Sequence, residues 1–196
     1  MGPIDISPLR DFVRGMTDLA DRHHGDEGAM IDGTKPLLAK LIARDDWLPE
    51  EYTVEGDTYR QYLLHCDPQQ RFSTVSFVWG PGQTTPVHNH TVWGLIGMLR
   101  GAEIGQSFSR SDNGLVAGEE DRLDIGDIDV VSPSRGDIHK VSNALDNRSS
   151  ISIHVYGDNI GAVRRCVFDP ETGEPAEFIS GYSNTAVPNL WDLSGR

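Results

Sequence analysis

Short strand-like segments separated by turn residues fill the chain from Tyr59 onward, and they restrict its fold more than any other feature. Each segment is rich in β-branched or aromatic residues, and Gly, Pro, Asp or Asn stands between consecutive segments. The segments are YRQYLLHC, FSTVSFVW, WGLIGMLRG, IGQSFSR, IDVVSP and SSISIHVYG. Repeated short strands with turn signals are typical of an antiparallel sandwich or barrel. We therefore predict a mainly β fold, with SDNGLVAGEEDR (residues 111–122) as an exposed hairpin.

The N-terminal part instead has the periodicity of helices. Apolar residues of 6–20 recur with i, i+3, i+4 spacing, which predicts an amphipathic helix with Ser7 as N-cap and Pro8 at the first helical position. A second short helix is predicted to start at Pro36, and a helical turn is predicted around DDWLPEEY. We expect these helices to pack outside the β structure. The predicted single domain, 1–196, divides into a helical segment (1–55), a β-barrel core (56–170) and a C-terminal extension (171–196).

Charge and composition exclude several classes of partner. The 196 residues carry a formal net charge of -13, which argues against nucleic acid and against an anionic membrane surface. No run approaches the roughly 20 apolar residues of a membrane span, and the N-terminus lacks a secretory signal. Cys66 and Cys166 lie far apart and are expected to be free thiols. We expect a cytoplasmic protein, monomeric or homodimeric.

Two of the seven histidines, His88 and His90, are one residue apart and follow a Gly/Pro-rich turn. Side chains at i and i+2 of a strand point to the same face, so both imidazoles can converge on one metal ion. Surface residues or a buried hydrogen-bonded pair would also explain them. His23, His24 and His65 are predicted to be structural surface residues.

The spacing around this pair adds information. Gly82 lies six residues before His88, Gly101 ends the following segment, and GDIDVVSPSRGDIHKVSN forms a second block at 126–143. The two blocks resemble the two motifs of the cupin superfamily. Gly94 stands where the first motif has a glutamate, and the second block has one extra residue on each side of Pro133. The resemblance implies a cupin jelly-roll β-barrel with metal ligands from both blocks. By resemblance these ligands are His88, His90 and His139.

The segment SSISIHVYG alternates strictly, so that Ser152, His154 and Tyr156 share one face of a strand. A half-exposed strand with a polar outer face would have this pattern. The same three side chains can also form a hydrogen-bonded chain from hydroxyl to imidazole to phenol.

This Ser-x-His-x-Tyr strand, after a His-x3-Asn block, resembles the cysteine dioxygenase family, as do YRQYLLHC and HNHTVWGLIGMLRG. The ending FISGYSNTAVPNLWDLS is similar to the bacterial branch that acts on 3-mercaptopropionate. The resemblance implies one Fe(II) per chain and a thiol dioxygenase that converts a small thiol carboxylate and O2 to a sulfinic acid. It also implies catalytic roles for Tyr156, His154 and Ser152, with the phenol donating a hydrogen bond to oxygen or substrate.

Three departures from the mammalian-type enzymes refine this hypothesis. Gly94 occupies the place of the cysteine that crosslinks to the active-site tyrosine, so no crosslink is expected. Gln61 occupies the place of their carboxylate-binding arginine and could hold a water or the substrate tail, while Arg60 is expected on the opposite face. The segment NIGAVRRCVFD offers Arg164 and Arg165, and the family pattern favours Arg165 as the anchor of the substrate carboxylate.

Other functions stay open at this point. L-Cysteine is the main alternative substrate, although these motifs contain no obvious acid to bind an amine. Cysteamine fits an arginine anchor less well because it has no carboxylate. A cupin isomerase would normally keep the glutamate that Gly94 replaces. A non-enzymatic metal-binding cupin would not need Ser152, His154 and Tyr156 in register.

Overall fold

The computed structural model describes residues 4–112 and 114–193, in which two helices precede a set of antiparallel strands. The elements are α1 (Ser7–His23), α2 (Glu27–Ile42), a 3-10 turn (Glu50–Tyr52), β1 (Arg60–Cys66), β2 (Ser73–Trp79), β3 (Val87–His88), β4 (Gly94–Arg100), β5 (Ala102–Ser111), β6 (Gly114–Asp124), β7 (Ile128–Val131), β8 (Ile138–Asn143), β9 (Ser150–Tyr156), β10 (Arg165–Phe168) and β11 (Pro175–Phe178).

The strands form two sheets with separate hydrogen-bond networks. One has the order β1-β2-β9-β4-β7, and the other has the order β11-β10-β3-β8-β5-β6. Side chains of the two sheets meet in an interior that includes Phe77 and Trp79 from β2 and Val141 from β8. The fold is a jelly-roll-like sandwich of two antiparallel sheets, which do not close into one continuous barrel. The predicted mainly β class, with N-terminal helices packed outside, is confirmed.

Strand β9 lies in the middle of the five-stranded sheet, between β2 and β4. All of its residues are buried, because one face of the sheet meets the helices and the other meets the second sheet. Ile151, Ile153 and Val155 belong to the same apolar cluster as the helices. The alternate residues of β9 therefore point into the sandwich, which excludes the half-exposed strand considered from the sequence.

Helix α2 packs directly on β4, and Gly97 makes this close approach possible. A Cβ atom at Gly97 would come within 3.0 Å of Leu38 and 3.1 Å of Ile42. Leu38 and Ile42 are almost fully buried. Burial of each side chain of this size contributes about 1.5–3 kcal/mol to stability, so this face fixes α2 to the sheet.

The start of α2 differs from the prediction. The helix begins at Glu27, and Pro36 lies inside it. Asp26 is the N-cap, and its carboxylate accepts a hydrogen bond of 3.0 Å from the backbone N–H of Ala29. Proline is favoured in the first turn of a helix, and for this reason the sequence predicted a helix start at Pro36. The cap at Asp26 and the burial of Met30 stabilise an earlier turn, so the helix continues through the proline.

The start of α1 is shifted by one residue. Ser7 is its first helical residue rather than its N-cap, and Ile6 occupies the cap position without a side-chain hydrogen bond. The Ser7 hydroxyl instead donates to Asp5, at 2.9 Å. The helical turn expected around DDWLPEEY is confirmed as the turn Glu50–Tyr52.

The predicted hairpin is formed by β5 and β6, which pair from Ala102 opposite Asp124 to Ser111 opposite Gly114. Most of β6 is exposed, and Asn113 lies outside the described residues. Cys66 and Cys166 are free thiols, as expected. Within the described ranges, no helix is both long and apolar enough to cross a membrane.

Candidate metal centre and adjoining cavity

Three histidines converge inside the sandwich, two of them on the central strands β3 and β8 of the six-stranded sheet. His88 ends β3 and lies opposite His139 in the antiparallel pair that β3 forms with β8. His90 follows two residues after His88. The ring centroids are separated by 4.9 Å for His88 and His90, and by 4.8 Å from each of these to His139. The structure thus brings together the three residues that the sequence suggested as ligands.

Hydrogen bonds orient two of these rings. The Nδ1 atom of His88 is 3.0 Å from the carbonyl oxygen of Pro86, and Nδ1 of His90 is 3.0 Å from a carboxylate oxygen of Asp137. In each ring Nδ1–H donates and Nε2 carries the lone pair, the usual arrangement for metal-ligating histidines. Burial lowers the pKa of His88 to about 4 and lowers the pKa of His90 and His139 well below the usual value. All three are therefore neutral, the form that binds metals.

The cluster has the donor chemistry of a metal site. One ligand atom from each ring can be chosen so that all three lie within 4.8 Å of one another. Metal–nitrogen bonds of about 2.0–2.1 Å bring ligand nitrogens to within about 4 Å of each other, so small rotations of the rings suffice to hold one ion. A buried three-histidine group of this kind could hold a divalent first-row metal.

Asp137 contacts the histidine cluster and was not identified from the sequence. Its carboxylate accepts hydrogen bonds from the backbone N–H of His90 at 3.0 Å and of Thr91 at 2.8 Å, in addition to the His90 ring. Thr91 has a φ of 61°, an unfavourable region for a β-branched residue that these bonds help to hold. The only signal in the sequence was an acid two residues before His139. Asp137 therefore fixes both the backbone and the ring of one ligand.

We expect Asp137→Ala to lower the affinity for Fe²⁺ or a similar divalent ion by about 10- to 100-fold, because His90 loses the acceptor that fixes its ring. Anaerobic titration of the metal-free protein measures this change. Asp146→Ala is the matched control, since Asp146 is exposed and lies in the loop after β8. Equal affinities in the two variants would show that Asp137 does not position His90.

A second set of buried side chains forms a chain along β9. The Ser152 hydroxyl is 2.8 Å from Nε2 of His154, and Nδ1 of His154 is 2.8 Å from the hydroxyl of Tyr156. The Phe77 ring stacks on the His154 imidazole with centroids 4.1 Å apart, which fixes its plane. Burial lowers the pKa of His154 to about 3 and raises the pKa of Tyr156, so both groups stay neutral. The Tyr156 ring stacks on His90 at 5.4 Å, and this contact joins the chain to the histidine cluster.

Gly94 leaves the space that Tyr156 occupies. The two residues are opposite each other in the β4–β9 pair. A Cβ at Gly94 would lie 2.7 Å from the Tyr156 ring and 3.0 Å from Val131, which is closer than real Cβ contacts. A glutamate or cysteine at this position would displace the tyrosine. The observed position of the Tyr156 ring therefore requires a residue without a Cβ atom at position 94.

Arg165, from β10 of the six-stranded sheet, and Gln61, from β1 of the five-stranded sheet, line the same interior. The Arg165 side chain is buried, with 4% exposure, and one of its terminal nitrogens donates to Ser180 at 2.7 Å. Its guanidinium lies over the Phe178 ring at 4.7 Å, and its Nε–H has no partner among the described residues. The Gln61 amide nitrogen donates to the Ser180 hydroxyl at 3.0 Å and to the Gly181 carbonyl at 2.6 Å. Ser180 was not identified from the sequence, because it lies over 100 residues from Gln61 and only tertiary pairing joins them.

The cavity between these groups has a volume of about 200 Å³. Its wall includes His88, His139, Tyr156 and Arg165, and the remaining wall is largely aromatic or aliphatic. None of the described residues that line it is acidic. The volume is below the roughly 300–1,000 Å³ of pockets for drug-sized ligands. The cavity therefore suits a small molecule that carries negative charge.

The other residues singled out from the sequence lie outside this cavity. Arg164 is exposed and pairs with Glu177 at 3.0 Å. Arg60 is also exposed. Asn89 points away from the histidine cluster and accepts a hydrogen bond from the backbone N–H of Cys166 at 2.8 Å. His24 is exposed, whereas His65 is half-buried and its ring lies 5.8 Å from Phe72.

No protein-family model matches the chain. An uncharacterized conserved protein with a double-stranded β-helix domain from Klebsiella pneumoniae is 17% identical, with a TM-score of 0.46, over 65% of this chain and 91% of that chain. A cupin 2 conserved barrel domain protein from Salinispora arenicola is 19% identical, with a TM-score of 0.43, over 57% and 86%. Lactobacillus farciminis oxalate decarboxylase is 18% identical, with a TM-score of 0.43, over 55% of this chain and only 31% of that chain. Similarity at this level identifies no family, so the function must be inferred from the site.

Proposed function

We propose that this protein is a non-haem iron thiol dioxygenase that oxidises 3-mercaptopropionate with O2 to 3-sulfinopropionate. The observation that carries the proposal is the composition of one small cavity. Two members of the three-histidine cluster, His88 and His139, meet the Tyr156 phenol and the Arg165 cation in its wall, and no described residue of the wall is acidic. L-Cysteine is the alternative substrate, and its ammonium group would find no carboxylate among the described residues of the wall.

The three histidines suit an anionic sulfur ligand. Neutral imidazoles give a divalent ion no anionic ligand, because among the described residues no carboxylate joins the three rings as a candidate ligand, and Asp137 contacts only the far side of the His90 ring. A thiolate would then bind more readily than a neutral group, and the metal would lower the thiol pKa. Ferrous iron, when bound, would supply the one-electron chemistry that allows triplet dioxygen to react with the thiolate. Sulfur is oxidised and O2 is reduced as both oxygen atoms are transferred to sulfur, so no other reductant is needed.

Arg165 would hold the carboxylate of the substrate. Its guanidinium is buried and lacks an acidic partner in the described part of the chain, so a bound carboxylate would complete its hydrogen bonding. Ser180 accepts from both Arg165 and Gln61, which leaves its own hydroxyl proton free to donate. A carboxylate at this end of the cavity would direct the thiol of a short substrate toward the histidines.

Tyr156 would supply a hydrogen bond beside the reacting sulfur. The phenol is held by His154, whose far nitrogen is held by Ser152. The aromatic side chains of Phe77, Trp79 and Tyr59 line the same space and would limit the entry of water. These groups would orient the reactants without exchanging protons with solvent.

A panel of thiols tests this function. With iron-loaded protein we expect oxygen uptake and sulfinate formation to be fastest with 3-mercaptopropionate, slower with L-cysteine and slowest with cysteamine, which has no carboxylate. An oxygen electrode and product analysis measure the order. Faster oxidation of L-cysteine would support the alternative substrate. Iron binding without oxygen uptake for any thiol would indicate a metal-binding protein that is not a thiol dioxygenase.

A further inference from the structure

Glu103 is a buried acid that the proposed reaction does not use. It lies on β5, between Leu123 of β6 and Asn143 of β8, and is 1% exposed. Neither carboxyl oxygen makes a hydrogen bond of good geometry with another described residue. Its strand, β5, contacts β9 across the sandwich, and the side chains of Ser152 and Trp79 lie close enough to act on its carboxyl group. A fully buried, unpaired acid in this position calls for a physical reason.

The surroundings of Glu103 favour its protonated form. Burial raises its pKa to about 8, and the polar side chains of Ser152 and Trp79 oppose this rise only in part. It forms no ion pair with any described Lys, Arg or His. A buried charge without a partner is strongly unfavourable, so the group is a neutral carboxylic acid below that pKa. Such an acid has one O–H to donate.

Only one of the two neighbours can accept that proton. The Trp79 indole N–H is a donor without acceptor capacity, whereas the Ser152 hydroxyl can accept. Trp79 already directs its N–H toward Ser152, at 3.4 Å. If Glu103 donates to the second lone pair of the same oxygen, Ser152 can no longer accept from His154 and must donate its own proton to Nε2 of His154. The imidazole then carries its proton on Nδ1 and donates to the oxygen of Tyr156. The phenol proton is left free to point into the cavity.

We propose that Glu103 is a positioning residue that donates to Ser152 and thereby sets the direction of the whole chain, so that Tyr156 acts as a hydrogen-bond donor in the cavity. Without the Glu103 donor, the Ser152 hydroxyl can accept a hydrogen bond from Nε2–H of His154 equally well. The direction of the hydrogen bonds along the chain can then reverse. The phenol would then donate to His154 and offer only lone pairs to a ligand. The effect on turnover rests on the proposed function, whereas the direction of the chain does not.

The tautomer of His154 tests the direction without any metal or substrate. ¹⁵N NMR of the metal-free protein, at a pH below the pKa of Glu103, distinguishes a proton on Nδ1 from one on Nε2, and His154→Gln identifies the signal. We expect the Nδ1–H form in the wild type and in Glu103→Gln, whose amide still donates. We expect a mixture or the Nε2–H form in Glu103→Leu, which has no donor. The proposal would be overturned if His154 of the wild type carried its proton on Nε2, or if His154 had the same tautomer in the wild type and in both Glu103 variants. The first of these results is obtained from the wild type alone and does not depend on the folding of a variant.

Kinetics with 3-mercaptopropionate separate this role from simple packing. We expect Glu103→Leu to lower kcat by about 10- to 100-fold with little change in KM, because the phenol and not the substrate anchor is affected. Glu103→Gln should restore kcat to near the wild-type value. An unchanged kcat in Glu103→Leu, or a Glu103→Gln variant as slow as Glu103→Leu, would contradict the proposal. If the wild type oxidises no thiol, the proposed function fails, but the tautomer measurement still decides the direction of the chain.

Discussion

His139→Ala is expected to abolish stoichiometric iron binding and with it thiol oxidation. His139 comes from β8, about 50 residues beyond the other two ligands, and register alone brings it opposite His88. Removal of one of the three histidines should lower the affinity for iron by more than the about 10- to 100-fold expected for removal of a supporting group. With only two imidazoles, water would occupy most of the coordination positions of the ion. Metal analysis and anaerobic titration of the metal-free protein measure the change.

Thermal unfolding gives an independent measure of the same site. A metal that binds only the folded state stabilises it by about 2.7 kcal/mol at a free concentration of 100 times the Kd. Added Fe²⁺ should therefore raise the Tm of the wild type and leave that of His139→Ala unchanged. His24→Ala is the matched control, since His24 is exposed and should behave as the wild type. Stoichiometric iron in His139→Ala would refute the three-histidine centre.

Local patterns in the sequence were sufficient to predict the mainly β class and the convergence of His88 and His90, whereas His139 was added through the resemblance to cupin motifs. Strand alternation placed Ser152, His154 and Tyr156 on one face, and the same alternation places them inside the sandwich here. The predicted start of helix α2 was wrong because two local signals for a helix start competed. Pro36 was a strong start signal, but Asp26 caps the helix earlier and the turns between them are held by packing on the sheet.

The supporting residues of the site could not be predicted, because they are brought to it only by pairing between distant strands. Glu103 comes close to Ser152 only because β5 of one sheet packs across from β9 of the other. Ser180 meets Gln61 because the segment after β11 returns beside β1. An acid or a serine in an exposed-looking segment has no local signal that indicates burial. These contacts require the tertiary fold.

Arg165→Met is expected to lower kcat/KM for 3-mercaptopropionate by about 10- to 150-fold, mainly through KM. This range corresponds to the roughly 1.5–3 kcal/mol of a hydrogen bond to a charged group. The uncharged analogue 3-mercapto-1-propanol should react similarly with the wild type and the variant, because it has no carboxylate to lose. Arg164→Met is the matched control. Arg164 is exposed and its ion pair with Glu177 contributes little, so neither substrate should be affected.

The stability of Arg165→Met distinguishes a binding residue from a structural one. In the free protein the guanidinium is buried without an acidic partner among the described residues, and burial lowers its pKa. Removing an unpaired buried charge relieves a desolvation penalty, which should offset the lost hydrogen bond to Ser180 and the contact with Phe178. We therefore expect the metal-free variant to have a Tm equal to or above that of the wild type while binding the thiol carboxylate less well. A lower Tm together with equal losses for both thiols would mean that Arg165 supports the fold, and the carboxylate would need another anchor.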